Sequence, residues 1–162
     1  NRQGLAIIRL LLLSGARKTE IEGLRWDEID AERGLIRKAH SKTGPKVMML
    51  SEPMRAIIEA QPRLSESPWV FPGRSGKGHY VGTPRIWKKV RERAKVEDVR
   101  LHDLRHSAAS FALASGLSLE LIGGLLGHAQ PRTTARYAHL AADDLHRASD
   151  KTAKAIGDLL GV

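Results

Sequence analysis

Two histidines and an arginine lie at the start of one predicted helix, in the segment VRLHDLRHSA (residues 99–108). His102 and Arg105 are one helical turn apart, beside the N–H groups that a helix leaves unpaired at its N-terminus. Cationic side chains and free amides at such a position favour an anion, and a phosphate group suits both. The alternative is a solvated helix end at which Asp103 only supplies a capping charge. On this segment alone, the solvated end is the favoured interpretation.

This helix divides into an apolar side and a cationic side. We expect its apolar side to be buried, and that side comprises Leu104, Ala108, Phe111, Ala112 and Ser115. His102, Arg105 and His106 lie opposite and are expected to remain accessible. His102 and His106 also have the i, i+4 spacing of a metal-binding pair. No third ligand is evident nearby and Arg105 would repel a cation, so we expect no metal here.

Three further segments carry polar groups of chemical interest. Arg17 and Glu20 are one turn apart in SGARKTEIEGLRW (residues 14–26), a spacing that suits an ion pair holding the guanidinium in place. Lys42 lies at the tip of a predicted hairpin. In GHAQPRTTARYAH (residues 127–139), His128 follows a helix-stopping glycine and Tyr137 comes nine residues later. Each has an ordinary alternative: a weak surface pair, a solvated lysine and a packing tyrosine.

The chain is strongly basic and lacks cysteine. Its 162 residues carry a formal net charge of +9, and this length is typical of one domain with its own core. The absence of cysteine excludes disulfides, thiolate metal sites and a thiol nucleophile. The longest apolar run, Leu10–Leu13, is far too short to span a membrane. The charge suggests a polyanionic partner such as nucleic acid, and a basic surface without any partner is an equally good explanation of the charge alone.

Apolar periodicity, glycines and prolines predict a mainly helical domain with a small antiparallel sheet, an α+β fold. The pattern predicts one hairpin, formed by residues 34–40 and 46–50 around the turn at 41–45. It predicts helices at residues 5–14, from Lys18, at 51–60, 84–95, 102–115 and 118–126, a short one after Pro131, and a last one at 142–160.

Taken in order, these segments resemble the catalytic domain of the tyrosine recombinases, the phage-integrase family, over about residues 8–140. The family's first-arginine box resembles SGARKTEIEGLRWDEID, and its His-x-x-Arg motif resembles His102-Asp103-Leu104-Arg105. The Leu-Gly-His box is similar to Leu126-Gly127-His128, and the nucleophile's segment is similar to ARYAH around Tyr137. Each motif is weak alone, whereas their shared order is specific. Ser14 stands where the family often has threonine.

The resemblance implies DNA strand cleavage by transesterification through a covalent 3′-phosphotyrosine, with no metal, ATP or other cofactor. It assigns the nucleophile to Tyr137 and the leaving-group proton to Lys42. Arg17, Arg105 and His128 would hold the phosphate, and Glu20 would support Arg17. The sequence leaves two roles open for His102, general base or phosphate donor.

The resemblance also implies the partners and the extent of the protein. We expect residues 1–162 to be one catalytic domain, the C-terminal part of a longer recombinase whose N-terminal DNA-clamping domain is absent here. Residues 141–162 are expected to form a helix that contacts a neighbouring subunit or packs on its own domain. The expected partner is double-stranded DNA, bound by a homotetramer at full length, whereas the isolated domain is expected to be a monomer. No membrane association is expected, and the expected location is the cytoplasm, on the nucleoid.

Basic residues outside these motifs are candidates for contacts with the DNA backbone or grooves. They lie in the Gly-rich loop at 72–84 and in the helix at 84–95, and a solvated face is the alternative for each: Arg74, Lys77, Arg85, Lys88, Lys89 and Arg91.

Two other functions fit part of the sequence. Residues 117–138 have the pattern of a helix-turn-helix, which would suit a DNA-binding regulator without catalysis. That interpretation gives no reason for Arg17, Lys42 and the pair His102 and Arg105. A type IB topoisomerase uses similar chemistry, but the small size and the Leu-Gly-His box favour a recombinase.

Overall fold

A long first helix organises the domain. The computed structural model describes residues 1–39, 44–74 and 77–127. Helix α1 spans Arg2–Ser14 and packs against three later helices, α3 (Glu52–Glu59), α4 (Thr83–Ala94) and α5 (Asp103–Ala114). Its apolar residues fill the main core, where Ile7 and Leu10 are fully buried together with Ile21, Leu24 and Phe71. Burial of these apolar residues holds the surrounding helices in fixed positions.

A three-stranded antiparallel sheet follows the short helix α2 (Lys18–Glu22). Strands β1 (Ile29–Asp30), β2 (Leu35–Lys38) and β3 (Lys46–Met49) lie in the order β1-β2-β3. The predicted hairpin is therefore confirmed, with Lys38 paired opposite Lys46 at the end next to the turn. Strand β1 was not predicted, because two residues are too few to show an alternating pattern.

Helices α5 and α6 form a second, smaller core. Helix α6 spans Leu119–Leu126 and buries Ile122 and Leu126 against Ala109 and Leu113 of α5. The predicted bounds of both helices agree with the structure to within one residue at each end. The mainly helical fold with a small antiparallel sheet is thus confirmed. The predicted helices after Pro131 and at 142–160 lie outside the described residues.

The predicted buried face of α5 was right for Leu104 and wrong for Phe111 and for the inward position of Arg105. The structure buries Leu104, Arg105, Ala109 and Leu113, whereas Phe111 is 68% exposed. The helix has small or apolar residues on several sides, so the pattern did not fix its rotation. Arg105 turns inward because backbone carbonyls accept hydrogen bonds from its guanidinium there, which offsets the cost of burying its charge. Within the described residues, no helix is long and apolar enough to cross a bilayer.

Candidate active site

Arg17 lies at the junction between α1 and α2, where Glu20 holds it. Gly15 ends α1 in the left-handed conformation, with φ of 60°, and the chain turns there into α2. Glu20 Oε2 accepts a hydrogen bond from the Arg17 backbone N–H at 2.8 Å, and Oε1 accepts one from Arg17 Nη1 at 3.1 Å. The predicted ion pair is therefore present, and it is more than a surface pair, because Glu20 is only 4% exposed.

Arg105 reaches across the domain to the same junction. It is 6% exposed. Its Nη1 donates to the Gly15 carbonyl, 90 positions away in the chain, and its Nη2 donates to the Leu126 carbonyl at 2.9 Å. Two fixed acceptors set the plane of the guanidinium. The expectation that Arg105 lies on the accessible side of α5 is therefore wrong, and its inward position brings it beside the segment that carries Arg17.

A residue that the sequence did not single out completes this network. Lys46, the first residue of β3, donates from Nζ to Glu20 Oε2 at 2.9 Å and to the Leu126 carbonyl at 3.2 Å. The same carboxylate thus holds Arg17, and the same carbonyl holds Arg105. A buried position for Lys46 agrees with the strand alternation that also buries Met48 and leaves Val47 and Met49 outside. That alternation was the available signal, but lysine is usually a solvent-facing residue.

The network shifts the pKa values of both members of its central pair. Burial acts to raise the pKa of Glu20, but hydrogen bonds from the Arg17 backbone and from Lys46 bring it below its ordinary value. Burial lowers the pKa of Lys46, opposed by Glu20 and reinforced by the positive charges of Arg105 and Arg17. Arg17 and Lys46 therefore share one buried carboxylate while Arg105 adds a third positive charge nearby, an arrangement that favours the approach of a further anion.

His102 lies at the exposed N-terminus of α5. Its ring packs edge to face with that of His106, with centroids 5.3 Å apart and planes at 88°. Asp103 accepts from the Arg100 backbone N–H at 2.8 Å and from its guanidinium, and these bonds lower the pKa of Asp103. Asp103 therefore neutralises the charge of Arg100 and caps the turn. The positive potential beside His102 must come from other basic residues. The described residues contain no group of three His, Cys, Asp or Glu side chains able to hold a metal.

A cavity of about 440 Å³ connects His102 and Arg105 with α4. Its apolar wall comes from α1, α4 and the turn before α5, through Leu11, Ala16, Trp87 and Leu101. Among the described residues, its polar lining is basic: Lys18, Lys88, Arg91, Arg100, His102 and Arg105. Because a cleft lined by one sign of charge concentrates the opposite charge, this cavity is suited to a phosphate backbone.

The predicted DNA-contact residues separate into three places. Lys88 and Arg91 line the cavity just described. Arg85 and Lys89 line a different groove of about 600 Å³, beside Tyr80 and the start of α1. Arg74 and Lys77 are exposed in the loop before α4. Only Lys88 and Arg91, among these six, share a cavity with His102 and Arg105.

Three predicted site residues, Lys42, His128 and Tyr137, lie outside the described residues. Their neighbours do have defined positions. Strands β2 and β3 flank the turn that contains Lys42, and α6 ends at Leu126 with Gly127 left-handed, φ 65°, immediately before His128. The Leu126 carbonyl, which holds Arg105 and Lys46, is thus two residues from His128.

Tyr80, the other tyrosine of the chain, occupies a structural position. Its side chain is half-buried, and a Cβ atom added to Gly82 or Gly4 would lie 2.5 or 3.1 Å from its hydroxyl oxygen. Burial and the charge of Glu22 raise the pKa of Tyr80. A phenol with a raised pKa loses its proton less readily, which disfavours Tyr80 as the nucleophile.

Comparison with known proteins assigns the family. The sequence profile of the Phage integrase family matches residues 3–144. Tyrosine recombinase XerA of Thermococcus kodakarensis is 34% identical over 163 residues, which cover 96% of this chain and 57% of that protein. Tyrosine recombinase XerD of Rhizobium meliloti is 35% identical over 153 residues, covering 87% of this chain and 48% of that protein.

Solved structures share the fold. The crystal structure of XerA recombinase superposes with a TM-score of 0.74 at 20% identity, over 94% of this chain and 57% of that one. The catalytic domain of bacteriophage HP1 integrase gives a TM-score of 0.65 at 23% identity, over 90% of this chain and 79% of that one. XerH, in a post-cleavage complex with a palindromic difH substrate, gives 0.73 at 19% identity, over 91% and 45%.

This chain therefore belongs to the phage integrase family, and its fold is that of the tyrosine recombinase catalytic domain. It spans about half the length of the curated relatives it matches.

Proposed function

We propose that this chain is the catalytic domain of a site-specific DNA recombinase, which cuts and rejoins strands through a covalent link between Tyr137 and DNA. One observation carries the proposal: hydrogen bonds through Glu20, Lys46 and the Leu126 carbonyl join two arginines that are far apart in sequence. These are Arg17 and Arg105. The membership of the family supports the same activity.

The proposed reaction exchanges one phosphoester for another. The Tyr137 oxygen attacks the scissile phosphorus and forms a 3′-phosphotyrosine, while the bond to the 5′ oxygen breaks. The tyrosine proton goes to a base, and the leaving 5′ oxygen takes a proton from Lys42. A second 5′-hydroxyl then attacks the phosphotyrosine and releases Tyr137. Because the number of phosphoester bonds is conserved, the cycle needs no ATP.

Fixed cationic side chains stabilise the negative charge that builds up on the phosphoryl group in the transition state. Arg17 and Arg105 offer planar donor forks to the non-bridging oxygens, and His128 adds a hydrogen bond. His102, at the mouth of the basic cavity, acts either as the base toward Tyr137 or as a further phosphate donor. Each preorganised donor of this kind contributes about 3 kcal/mol to stabilisation of the transition state. The proposed mechanism uses these side chains in place of a metal ion.

The proposed substrate is double-stranded DNA, held partly by the basic cavity. Structures of XerH in complexes with its difH substrate support DNA as the partner. In the proposed arrangement, the full-length protein acts as a homotetramer on DNA in the cytoplasm, and residues 141–162 form a subunit contact.

A trapped covalent intermediate tests this function. A library of nicked duplexes, randomised around the nick, loses its short cleaved strand by diffusion, so the covalent complex accumulates and a denaturing gel resolves it. Wild type and Tyr80→Phe should form the complex at low salt, and Tyr137→Phe should form none. DNA binding without any complex would support the non-catalytic regulator instead. Relaxation of supercoiled plasmid without joining to a second duplex would support a topoisomerase.

A further inference from the structure

Two buried lysines anchor the β2–β3 hairpin at the end next to its turn, the segment that contains Lys42. Lys38 and Lys46 are directly paired across the strands, and each side chain is 6% exposed. Lys38 Nζ donates to Glu28 Oε2 and to the Gly23 carbonyl, both at 2.7 Å. The two lysines thus anchor the same hairpin through similar bonds, but to different parts of the domain.

The partners of Lys46 are the groups that hold the two arginines. Its ion pair is with Glu20, whose carboxylate also binds Arg17 through two hydrogen bonds. Its second acceptor is the Leu126 carbonyl, to which Arg105 Nη2 also donates. Lys46 therefore links Arg17, Arg105 and the segment leading to His128, which come from separate parts of the chain.

Packing around Gly127 shows that the lysine stem is closely fitted. A Cβ atom added at Gly127 would lie 2.5 Å from Lys46 Cε and 3.1 Å from Nζ. The backbone just before His128 therefore lies against the lysine side chain. A change in the position of Lys46 would move this backbone, Glu20 or both.

We propose that Lys46 is a positioning residue for strand cleavage, which sets the geometry of Arg17 through Glu20 and that of Arg105 through the Leu126 carbonyl. This inference rests on the function proposed above. It concerns the rate of cleavage and not the affinity for DNA, because Lys46 is buried and reaches the phosphate only through other residues. The role proposed above for Lys42, in the turn of the same hairpin, is a different one: it protonates the leaving group.

Lys38→Met provides a matched control for Lys46→Met. Both substitutions remove one buried ammonium from the same rung of the hairpin and keep a chain of similar length. Both substitutions weaken the anchoring of the hairpin, since each leaves a carboxylate, Glu20 or Glu28, with one fewer partner. Only Lys46→Met also changes the groups that hold Arg17 and Arg105.

The first test is single-turnover formation of the covalent complex on the nicked library. Lys46→Met should slow this step roughly ten- to hundredfold relative to Lys38→Met, because small displacements of reacting groups cost that much. Its Kd for DNA should stay within about threefold of that of wild type, since the site of binding is intact. Lys46→Arg, which keeps a cationic donor, should recover most of the rate. Equal rates for the two methionine variants, or no loss in Lys46→Met, would overturn the proposal.

The second test needs neither DNA nor activity. The Nε–Hε resonances of Arg17 and Arg105 in ¹⁵N-labelled protein should shift in Lys46→Met and stay in place in Lys38→Met. Unshifted resonances in Lys46→Met would contradict the positioning role even if the wild type cleaved DNA. If instead the resonances shift but no wild-type complex forms on DNA, the proposed function fails and the structural linkage stands.

Discussion

Replacement of Gly15 by alanine should destabilise the domain through two separate effects. Gly15 ends α1 with φ of 60°, a conformation that costs an L-residue about 1–2 kcal/mol. The added Cβ would also lie 2.3 Å from Leu126 Cδ2 and 3.3 Å from Ala108 Cβ. Because Leu126 is buried against α5, relief of that overlap requires its side chain or α6 to shift, at an overpacking cost of about 1–3 kcal/mol.

The control for this substitution is Gly116→Ala. Gly116 also follows a helix and has a positive φ of 85°, but an added Cβ would meet no atom within 4 Å. Gly116→Ala should therefore lower the free energy of unfolding only by the cost of its left-handed backbone conformation, about 1–2 kcal/mol. The total expected for Gly15→Ala is about 2–5 kcal/mol.

Equilibrium urea unfolding, followed by tryptophan fluorescence, measures the difference between the two variants. Gly15→Ala should also slow covalent complex formation, since Arg105 bonds to the carbonyls of both Gly15 and Leu126. Unfolding free energies for the two variants that agree within about 0.5 kcal/mol would refute the close packing of the α1–α2 junction on α6.

Two further predictions concern charge. Because the pKa of Glu20 lies below its ordinary value in the fold, its contribution to stability is present above about pH 4.3 and is lost as the pH falls through the folded-state value. The free energy of unfolding, measured by urea titrations at a series of pH values, should fall more steeply with acid in wild type than in Glu20→Gln, and parallel curves would contradict this. Lys88→Ala should make the negative slope of log K against log salt for DNA binding shallower by about 0.9, as for one lost phosphate contact. Fluorescence anisotropy measures that slope, Lys89→Ala should leave it unchanged, and an equal change in both variants would argue against a special role for the basic cavity.

The sequence predicted most elements of the fold because their signals are local. Glycine at the helix ends, as at Gly127, and apolar periodicity fixed α5 and α6 to within one residue at each end. The rotation of α5 could not be predicted, because Phe111 and Leu113 are equally apolar and only the packing of α6 decides which is buried. Strand β1 is stabilised by pairing with β2 and has no pattern of its own.

The site shows the same division between local and distant contacts. The pair of Arg17 and Glu20 follows from their i, i+3 spacing, and the structure contains it. The bond between Arg105 and the Gly15 carbonyl joins residues 90 positions apart, and that between Lys46 and Glu20 joins residues 26 apart. No periodicity carries such information. Family resemblance therefore indicated Arg105, whereas Lys46 emerged only from the structure.

The central claim is that Tyr137 is the residue that bonds to DNA, and mass spectrometry of the trapped complex tests it directly. The chain has two tyrosines, Tyr80 and Tyr137, and trypsin places them in different peptides, residues 78–85 and 137–147. After nuclease digestion, the nucleotide remnant should be attached to the phenol oxygen in peptide 137–147, and peptide 78–85 should be unmodified. A nucleotide on any other peptide, or a complete absence of linkage from a preparation that binds DNA, would contradict the account.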